Sequence, residues 1–254
     1  MNTFTIARKE LSSYFRSPIA YGVMCFFAVI TGFFFYAFVR SFLQQSLQMT
    51  MMGQSAPLNV NEWVVRNFFS NMSVVGLFII PMITMRLFAE EKRTGTIELL
   101  VTSPLRDFEI ILGKWLAAII LYMTILAISM LNMLVLFAYG NPDWRPMAVG
   151  YLGLILQGGA LLSIGTFIST ATRNQIVAGV ATFGVCLLLW VLDWVSQFES
   201  STLFSIISYL SVTSHFESFM RGVLDSKDAV YYLSVIVFGL FMTARSMESI
   251  RWRA

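Results

Sequence analysis

Long apolar segments recur along this chain, and they restrict its fold more than any other feature of the sequence. Six are predicted, the last shorter than the rest: 19–39, 68–87, 116–139, 147–168, 176–195 and 229–243. A helix of about 20 apolar residues is long enough to cross the ~30 Å hydrocarbon core of a bilayer. The strands of a membrane barrel would instead show shorter segments of alternating polarity. The sequence therefore predicts an all-α polytopic membrane protein, with six transmembrane helices in a single domain over residues 1–254.

The composition leads to the same class of protein. Hydrophobic residues make up 57% of the 254 residues and charged residues 12%, against about 45–50% and about 25% in soluble domains. Cys25 and Cys186 both lie inside apolar segments, where a thiol is expected to pack as a small apolar group and not to form a disulfide framework. The formal net charge of +3 does not indicate a nucleic-acid partner, and we expect none.

Residues 1–18, before the first apolar segment, have an amphipathic pattern. Phe4, Ala7 and Leu11 share one helical face, and charged residues occupy another, which predicts a helix lying in the membrane interface. A cleavable signal peptide is the competing interpretation. The apolar run 19–39 is too long for a typical signal peptide, and no small-residue cleavage site follows it. We interpret that run as the first transmembrane helix.

The second and third apolar segments are separated by a strongly charged stretch, residues 88–115. Apolar residues at helical spacing begin at Ile97, and Glu98 points away from them. Ser103 and Pro104 are predicted to end this short helix and to begin the next as N-cap and first helical residue. The pattern predicts a compact polar helical hairpin, and a solvated connecting loop is the alternative.

The distribution of basic residues predicts the orientation in the membrane. Twelve of the 17 Lys and Arg residues fall on the side that carries the hairpin and both termini, and five fall on the other side. The positive-inside rule then places both termini and the hairpin in the cytoplasm. Residues 196–228 are predicted to form short extracytoplasmic or re-entrant helices.

The sequence has no motif for catalysis. It contains no Walker A loop, and the single histidine, His215, cannot build a metal cluster by itself. Acidic residues are scarce in the apolar segments, which disfavours a proton relay. We therefore expect no catalytic residue, no bound cofactor and no metal site in this chain.

Four residues within the predicted spans are candidates for helix packing or for a substrate path. Asn132 and Gln157 are polar and lie mid-membrane, where hydrogen bonding between helices and lining of a path are both open interpretations. Gly159 and Ser163 form a small-xxx-small pair that permits close contact between helices.

This order of parts resembles the ABC-2 type permeases, the membrane subunits of ABC transporters, over essentially the whole chain. The N-terminal element is Arg8-Lys9-Glu10-Leu11, and the most specific part is the run EEKRTGTIELLVTSP at residues 90–104. A Gly113-Lys114 pair opens the third span. Three further runs are similar to the gliding-motility-associated branch: SPIAY from Ser17, HFESF from His215 and RGV from Arg221.

The resemblance implies a function and a set of partners. The chain would be a permease subunit in the bacterial inner membrane that exports a substrate. The ATP and Mg would be bound by a separate ABC ATPase subunit, which would hydrolyse the ATP. Two ATPase copies, a second identical or related permease, membrane lipid and an extracytoplasmic accessory protein are the expected partners. The alternative is a subunit that transmits motion to an envelope or gliding machine and moves no solute.

The resemblance also implies roles for individual residues. The hairpin would be the coupling helix that docks on the ATPase, and the residues assigned to coupling are Glu90, Glu91, Lys92, Arg93, Thr94, Gly95, Thr96, Glu98 and Pro104. The residues assigned to the interfacial helix are Arg8, Lys9, Glu10 and Leu11.

Overall fold

The computed structural model of the chain describes residues 2–53, 59–102, 105–140, 142–195 and 209–251. Within these ranges every regular element is a helix, and no strand occurs. In chain order the elements are α1 (Asn2–Arg16), α2 (Pro18–Met51), a π-helical segment (Asn61–Val65), α3 (Arg66–Thr84), α4 (Ala89–Thr94), α5 (Ile97–Val101), α6 (Asp107–Tyr139), α7 (Trp144–Ala171), α8 (Gln175–Val195), α9 (Phe216–Met220) and α10 (Ser226–Arg251).

Six helical stretches of the described chain are long and apolar enough to cross a membrane. They are Pro18–Met51, Asn61–Thr94, Asp107–Tyr139, Trp144–Ala171, Gln175–Leu192 and Ser226–Ser249. Each contains most or all of one predicted apolar segment. The predicted all-helical fold with six candidate membrane-spanning helices is confirmed.

Several helices extend beyond the predicted apolar segments. Residues 40–67 separate the first two predicted segments, yet 40–51 continue α2, and 61–67 form the π-helical segment and the start of α3. No glycine or proline occurs between Gly32 and Gly53, so nothing in the sequence stops α2 when its apolar run ends. The last helix likewise exceeds its predicted span, 229–243, at both ends.

The segment before the last helix was expected to form short helices over residues 196–228. The first part of that range, 196–208, lies outside the described residues. In the remainder, Tyr209 is helical, α9 is a short helix of five residues, and α10 already begins at Ser226.

Helix α7 lies at the centre of the fold, in contact with α3, α6, α8, α9 and α10. At its glycines, which have no side chain, large aromatic side chains of neighbouring helices pack directly against the backbone of α7. A Cβ on Gly158 would lie 2.1 Å from Cε1 of Tyr122, and one on Gly153 would lie 2.5 Å from Cβ of Phe219. Close packing of small residues against large ones therefore holds the core together.

Helices α2 and α8 lie at the periphery and are mostly exposed. Large apolar side chains such as Phe26 and Phe33 of α2 point outward, more than half exposed. In a membrane-spanning helix such a face is the expected contact with lipid or with another apolar surface.

Helix α1 packs along α6, and Gly113 permits the close approach. A Cβ on Gly113 would lie 2.8 Å from the Cβ of Ile6. Of the residues on the predicted apolar face of α1, Ala7 is buried and Phe4 is 78% exposed, while Tyr14, outside that set, is buried. The contact with α6 therefore selects a face rotated from the one that hydrophobicity alone predicts.

Candidate functional site at the charged hairpin

Two short helices, α4 and α5, form the hairpin, and one glycine sets the angle between them. Gly95 follows α4 with a φ of 74°, in the left-handed region that is open to a residue without a Cβ. The Thr94 hydroxyl donates to the carbonyl of Glu90 at 3.0 Å, and its oxygen lies 2.9 Å from Oγ1 of Thr96. These contacts close the end of α4, and they make the hairpin a compact corner.

A buried lysine of α6 holds the inner side of the hairpin. The Nζ of Lys114 lies 2.8 Å from Oε1 of Glu91 in α4 and 3.1 Å from Oε1 of Glu10 in α1. The Lys114 side chain is 2% exposed, and a buried ammonium without a counter-ion is strongly unfavourable. Glu10, Glu91 and Lys114, here called the Lys114 cluster, therefore join three elements at one point.

The Lys114 cluster is not fully satisfied. It combines two carboxylates with one ammonium, and Oε2 of Glu91 is buried with no hydrogen-bond partner in the described part of the chain. The ring of Phe88 lies 5.2 Å from the Lys114 Nζ and contributes a cation–π contact. Because the charges do not balance, loss of the lysine would leave two carboxylates facing each other.

The end of α7 forms a second anchor for the hairpin. The backbone N–H groups of Phe88 and Ala89 both donate to Oγ of Ser169 at 3.1 Å. The Nζ of Lys92 donates to the carbonyl of Thr170. The first turn of α4 has no partners within its own helix for these N–H groups, so Ser169 caps α4 from another helix.

The outer side of the hairpin is exposed. Leu99 is 73% exposed, and it lies among polar residues that are also exposed: Arg93, Thr94, Gly95, Thr96 and Glu98. On the opposite side of α5, Ile97 is buried, and Leu100 packs against the core. The hairpin therefore presents one outward surface, here called the outer surface, made of Arg93–Thr96, Glu98 and Leu99.

The structure divides the residues that sequence analysis assigned to coupling into two groups. Glu91 and Lys92 turn inward and bind within the chain, so the position of Glu91 does not fit an ion pair with a partner protein. Glu90 is half-buried. Pro104 lies outside the described residues.

The predicted start of α6 is wrong by several residues. Ser103 and Pro104, which lie outside the described residues, were expected to begin this helix, but it begins at Asp107, with Arg106 as N-cap. The carboxylate of Glu109 accepts a hydrogen bond from the backbone N–H of Arg106 at 3.1 Å. The backbone N–H of Glu109 donates in turn to the carbonyl of Arg106 at 2.9 Å, and these two bonds, with Asp107 in the first turn, fix the start of the helix.

The residues of the N-terminal element, Arg8–Leu11, also fall into a buried and an exposed group. Glu10 joins the Lys114 cluster, and Leu11 is half-buried against the core. Arg8 and Lys9 are exposed. The element thus has one side that anchors α1 and one charged side that remains accessible.

The mid-membrane residues have different environments. Gln157 is buried, and its Nε2 donates to Oγ of Ser73 at 2.7 Å, across the α3–α7 contact. Ser163 packs against α10, where a Cβ on Gly239 would lie 2.5 Å from its Oγ. The carbonyl of Gly159 accepts a hydrogen bond from Nε1 of Trp115 at 3.2 Å. Asn132 is half-buried, and among the described residues its side chain makes no hydrogen bond to another helix.

In the sequence Lys114 stands out only as part of the Gly113-Lys114 pair, which does not reveal its central role. A signal was present, because a lysine at the entry of an apolar helix requires a counter-ion. The identity of the partners, Glu10 and Glu91, follows from the packing of α1 and α4 on α6, which no local pattern contains. In the described ranges, no three His, Cys, Asp or Glu side chains are grouped as a metal site.

At the other end of the molecule, His215 has partners that the sequence did not suggest. Its Nδ1 lies 2.7 Å from Oδ1 of Asp228, and its Nε2 lies 2.9 Å from the carbonyl of Tyr209. Ser218 donates to the other oxygen of Asp228, and the imidazole stacks on Tyr231 with centroids 3.8 Å apart. Because Nε2 faces a carbonyl, the histidine activates no hydroxyl, and the arrangement ties the segment before α10 to that helix.

Comparison with known proteins agrees with this architecture. A probable multidrug ABC transporter permease, YbhR, of Escherichia coli (strain K12) is 25% identical over 204 residues, which are 73% of this chain and 52% of that protein. The protein of the same name from Escherichia coli O157:H7 gives the same values. The chain spans about half the length of the curated relatives it matches. A family model described as "ABC-2 family transporter protein" matches residues 4–245, nearly the whole chain, and the protein therefore belongs to the ABC-2 family of transporter membrane proteins.

Proposed function

We propose that this chain is the permease subunit of an ABC-2 exporter in the bacterial inner membrane, driven by ATP hydrolysed on a separate nucleotide-binding subunit. The hairpin carries the proposal. Its outer surface is exposed, while its inner side is anchored to α1, α6 and α7. An anchored element with one exposed surface is suited to pass a displacement from a partner to the membrane helices.

In this proposal the outer surface is the docking site for the ATPase. Leu99 is its apolar centre, and a large exposed apolar side chain within a polar rim is typical of a residue that becomes buried on binding. Arg93 and Glu98 flank it and would set the orientation of the partner by charge. The proposed assembly contains two ATPase copies and a second permease, with both termini and the hairpin in the cytoplasm.

The membership in the family supports the permease role, and the name of the relatives supports transport. We extend to this chain only the general class, an exporter whose substrate enters among apolar helices. The gliding-motility-associated branch remains a proposal that rests on the runs at Ser17, His215 and Arg221. Two of these runs cover α9 and the residues after it, and Phe216 and Phe219 of α9 are buried beside α7.

Co-purification tests the docking site. We would solubilise the tagged chain from its native membrane in a mild detergent and identify the proteins that co-purify with wild type, with Leu99→Asp and with Leu224→Asp. Leu224 is a matched control because it is also exposed but precedes α10 at the opposite end. We expect a stoichiometric ATPase with a Walker motif to accompany wild type and Leu224→Asp, and to be lost from Leu99→Asp. Retention by Leu99→Asp, or no ATPase with wild type, would contradict the proposal.

A flux measurement separates export from the alternative function, transmission of motion to an envelope machine. Vesicles containing the permease and its ATPase should accumulate substrate only when ATP is present. ATP turnover without net flux of any lipid-soluble compound would favour transmission of motion. That function requires the same hairpin contact but no substrate path through the membrane.

A further inference from the structure

A crevice lies beside the hairpin end of α3, where the chain passes from α1 to α2. Its enclosed volume is small, about 20 Å³, so a ligand larger than a water molecule would lie in its open mouth. Its polar end is formed by Arg86, Ser17 and Tyr14. The remainder is apolar and includes Ala20, Val23, Met82, Ile83, Leu121 and Ile125. The crevice is therefore amphipathic, with one cation at one end of an apolar lining.

Arg86 is incompletely paired in this position. Its Nε is buried and has no hydrogen-bond partner within the described residues, and its NH1 makes only a long contact of 3.4 Å to Oγ of Ser17. The ion pairs of the described chain do not include it: of the carboxylates near Tyr14, Glu10 and Glu91 are bound to Lys114, and Glu90 forms no ion pair with Arg86. A half-buried guanidinium without an anion is unfavourable, since its donors lose water without gaining a full set of acceptors.

We propose that this crevice binds an anionic phospholipid. The headgroup phosphate accepts hydrogen bonds from Arg86 and from the hydroxyl of Ser17, and one acyl chain lies along Ile19, Val23 and Met82 at the open mouth of the crevice. A planar guanidinium offers parallel N–H groups that match phosphate oxygens. The anion also supplies the charge that Arg86 lacks within the chain.

The surroundings of the crevice favour a lipid over other anions. Ile19 and Met82 line it and are 46% and 42% exposed, so the apolar part opens sideways, where the bilayer would lie. A free phosphate would leave the apolar lining uncovered, and an uncharged apolar ligand would leave Arg86 unpaired. Basic pockets between helices near a membrane surface are known to select anionic headgroups.

The crevice lies where a bound lipid would affect the junction between α1, α2 and the hairpin. Arg86 follows the last residue of α3, Thr84, by two positions, and α4 begins at Ala89. Tyr14, on the wall of the crevice, donates from its hydroxyl to the carbonyl of Ile83 at 3.0 Å. A bound headgroup would therefore stabilise the junction between α1, α2 and the hairpin.

A thermal-shift titration of the full chain tests this inference. We would remove lipid from the protein in a mild detergent and add phosphatidylglycerol, phosphatidylcholine or inorganic phosphate in separate titrations. We expect a saturable rise in Tm with phosphatidylglycerol alone. In Arg86→Gln the apparent affinity should fall about tenfold or more, the effect of losing a charge-assisted hydrogen bond. Arg16→Gln is the matched control, because Arg16 is an exposed arginine on the same side, and it should respond as wild type does.

Several results would overturn the inference. An equal shift with phosphatidylcholine would show that the site does not recognise the headgroup charge. An equal shift with inorganic phosphate would show that the acyl chain does not contribute to binding. An unchanged response in Arg86→Gln would show that the lipid does not bind at Arg86. If Arg86→Gln does not fold, Val23→Trp decides in its place, because it keeps the guanidinium and fills the apolar lining. Loss of the phosphatidylglycerol response in Val23→Trp supports the site, and an unchanged response overturns it. None of these readouts depends on the ATPase, so they are independent of the proposed transport function.

Discussion

The Nζ of Lys114 and the Oε1 of Glu91 are 2.8 Å apart, and this contact ties the charged hairpin directly to a membrane-spanning helix. The same ammonium lies 3.1 Å from Glu10, which is 104 residues away in sequence. The hairpin, the N-terminal helix and α6 therefore cannot move apart without exposing or separating buried charges. Packed and ion-paired contacts of this kind are able to carry a displacement from one element to the next.

Replacing Lys114 with methionine should destabilise the protein strongly. Glu10 and Glu91, whose side chains are only 18% and 19% exposed, would face each other without a counter-ion, and breaking a buried ion pair in this way costs about 3–5 kcal/mol. We expect a corresponding decrease in the free energy of unfolding, measured by denaturant titration in detergent. The control is the triple variant Glu10→Gln, Lys114→Met, Glu91→Gln, which removes all the charges and should recover most of the loss. Wild-type stability of Lys114→Met alone would show that the cluster contributes little.

Local patterns in the sequence predict the helices of this fold, but they do not predict the contacts between those helices. The apolar segments and the charged stretch identify six membrane helices and a hairpin, because bilayer thickness and helical periodicity act on neighbouring residues. The choice of Glu91 over Glu90 as the inward residue depends on how α4 is rotated against α6. That rotation is set by Ser169 on α7, far away in sequence, and no periodicity within the hairpin contains it. The same reason explains why the buried face of α1 includes Tyr14 and excludes Phe4.

Helices α6 and α7 are in such close contact that one added methyl group on Gly158 is predicted to destabilise the protein. A Cβ on Gly158 would lie 2.1 Å from the ring of Tyr122, and forcing extra atoms into a packed core costs about 1–3 kcal/mol. We expect Gly158→Ala to lower Tm and Gly184→Ala to leave it unchanged or slightly higher. At Gly184 no atom lies within 4 Å of the position that a Cβ would occupy, and alanine favours a helix over glycine by about 1 kcal/mol. Equal shifts for the two variants would contradict the packing described for α7.

The left-handed conformation of Gly95 predicts a local effect on the hairpin. An alanine at a φ of 74° costs about 1–2 kcal/mol, and the strain falls on the turn between α4 and α5. We expect amide hydrogen exchange in these two helices to accelerate about tenfold in Gly95→Ala, since about 1.4 kcal/mol is a factor of ten, with little change in α7. Gly95→Asn should have a smaller effect, because asparagine tolerates this region better than alanine does. The same exchange rates in wild type and Gly95→Ala would mean that the turn adapts without strain.

A double-mutant cycle on His215 and Asp228 tests whether they act as one unit. Asp228 is 2% exposed, and its carboxylate oxygens accept hydrogen bonds from His215 and Ser218. His215→Phe preserves an aromatic ring for the stack on Tyr231 but leaves the carboxylate without its main partner, at a cost of about 3–5 kcal/mol. Asp228→Asn should cost less, because a neutral amide is easier to bury than an unpaired charge. If the pair is coupled, the double variant should be more stable than the sum of the single losses predicts, by more than the ~0.5 kcal/mol within which independent sites add. Strict additivity would instead show that His215 and Asp228 stabilise this end of α10 independently of each other.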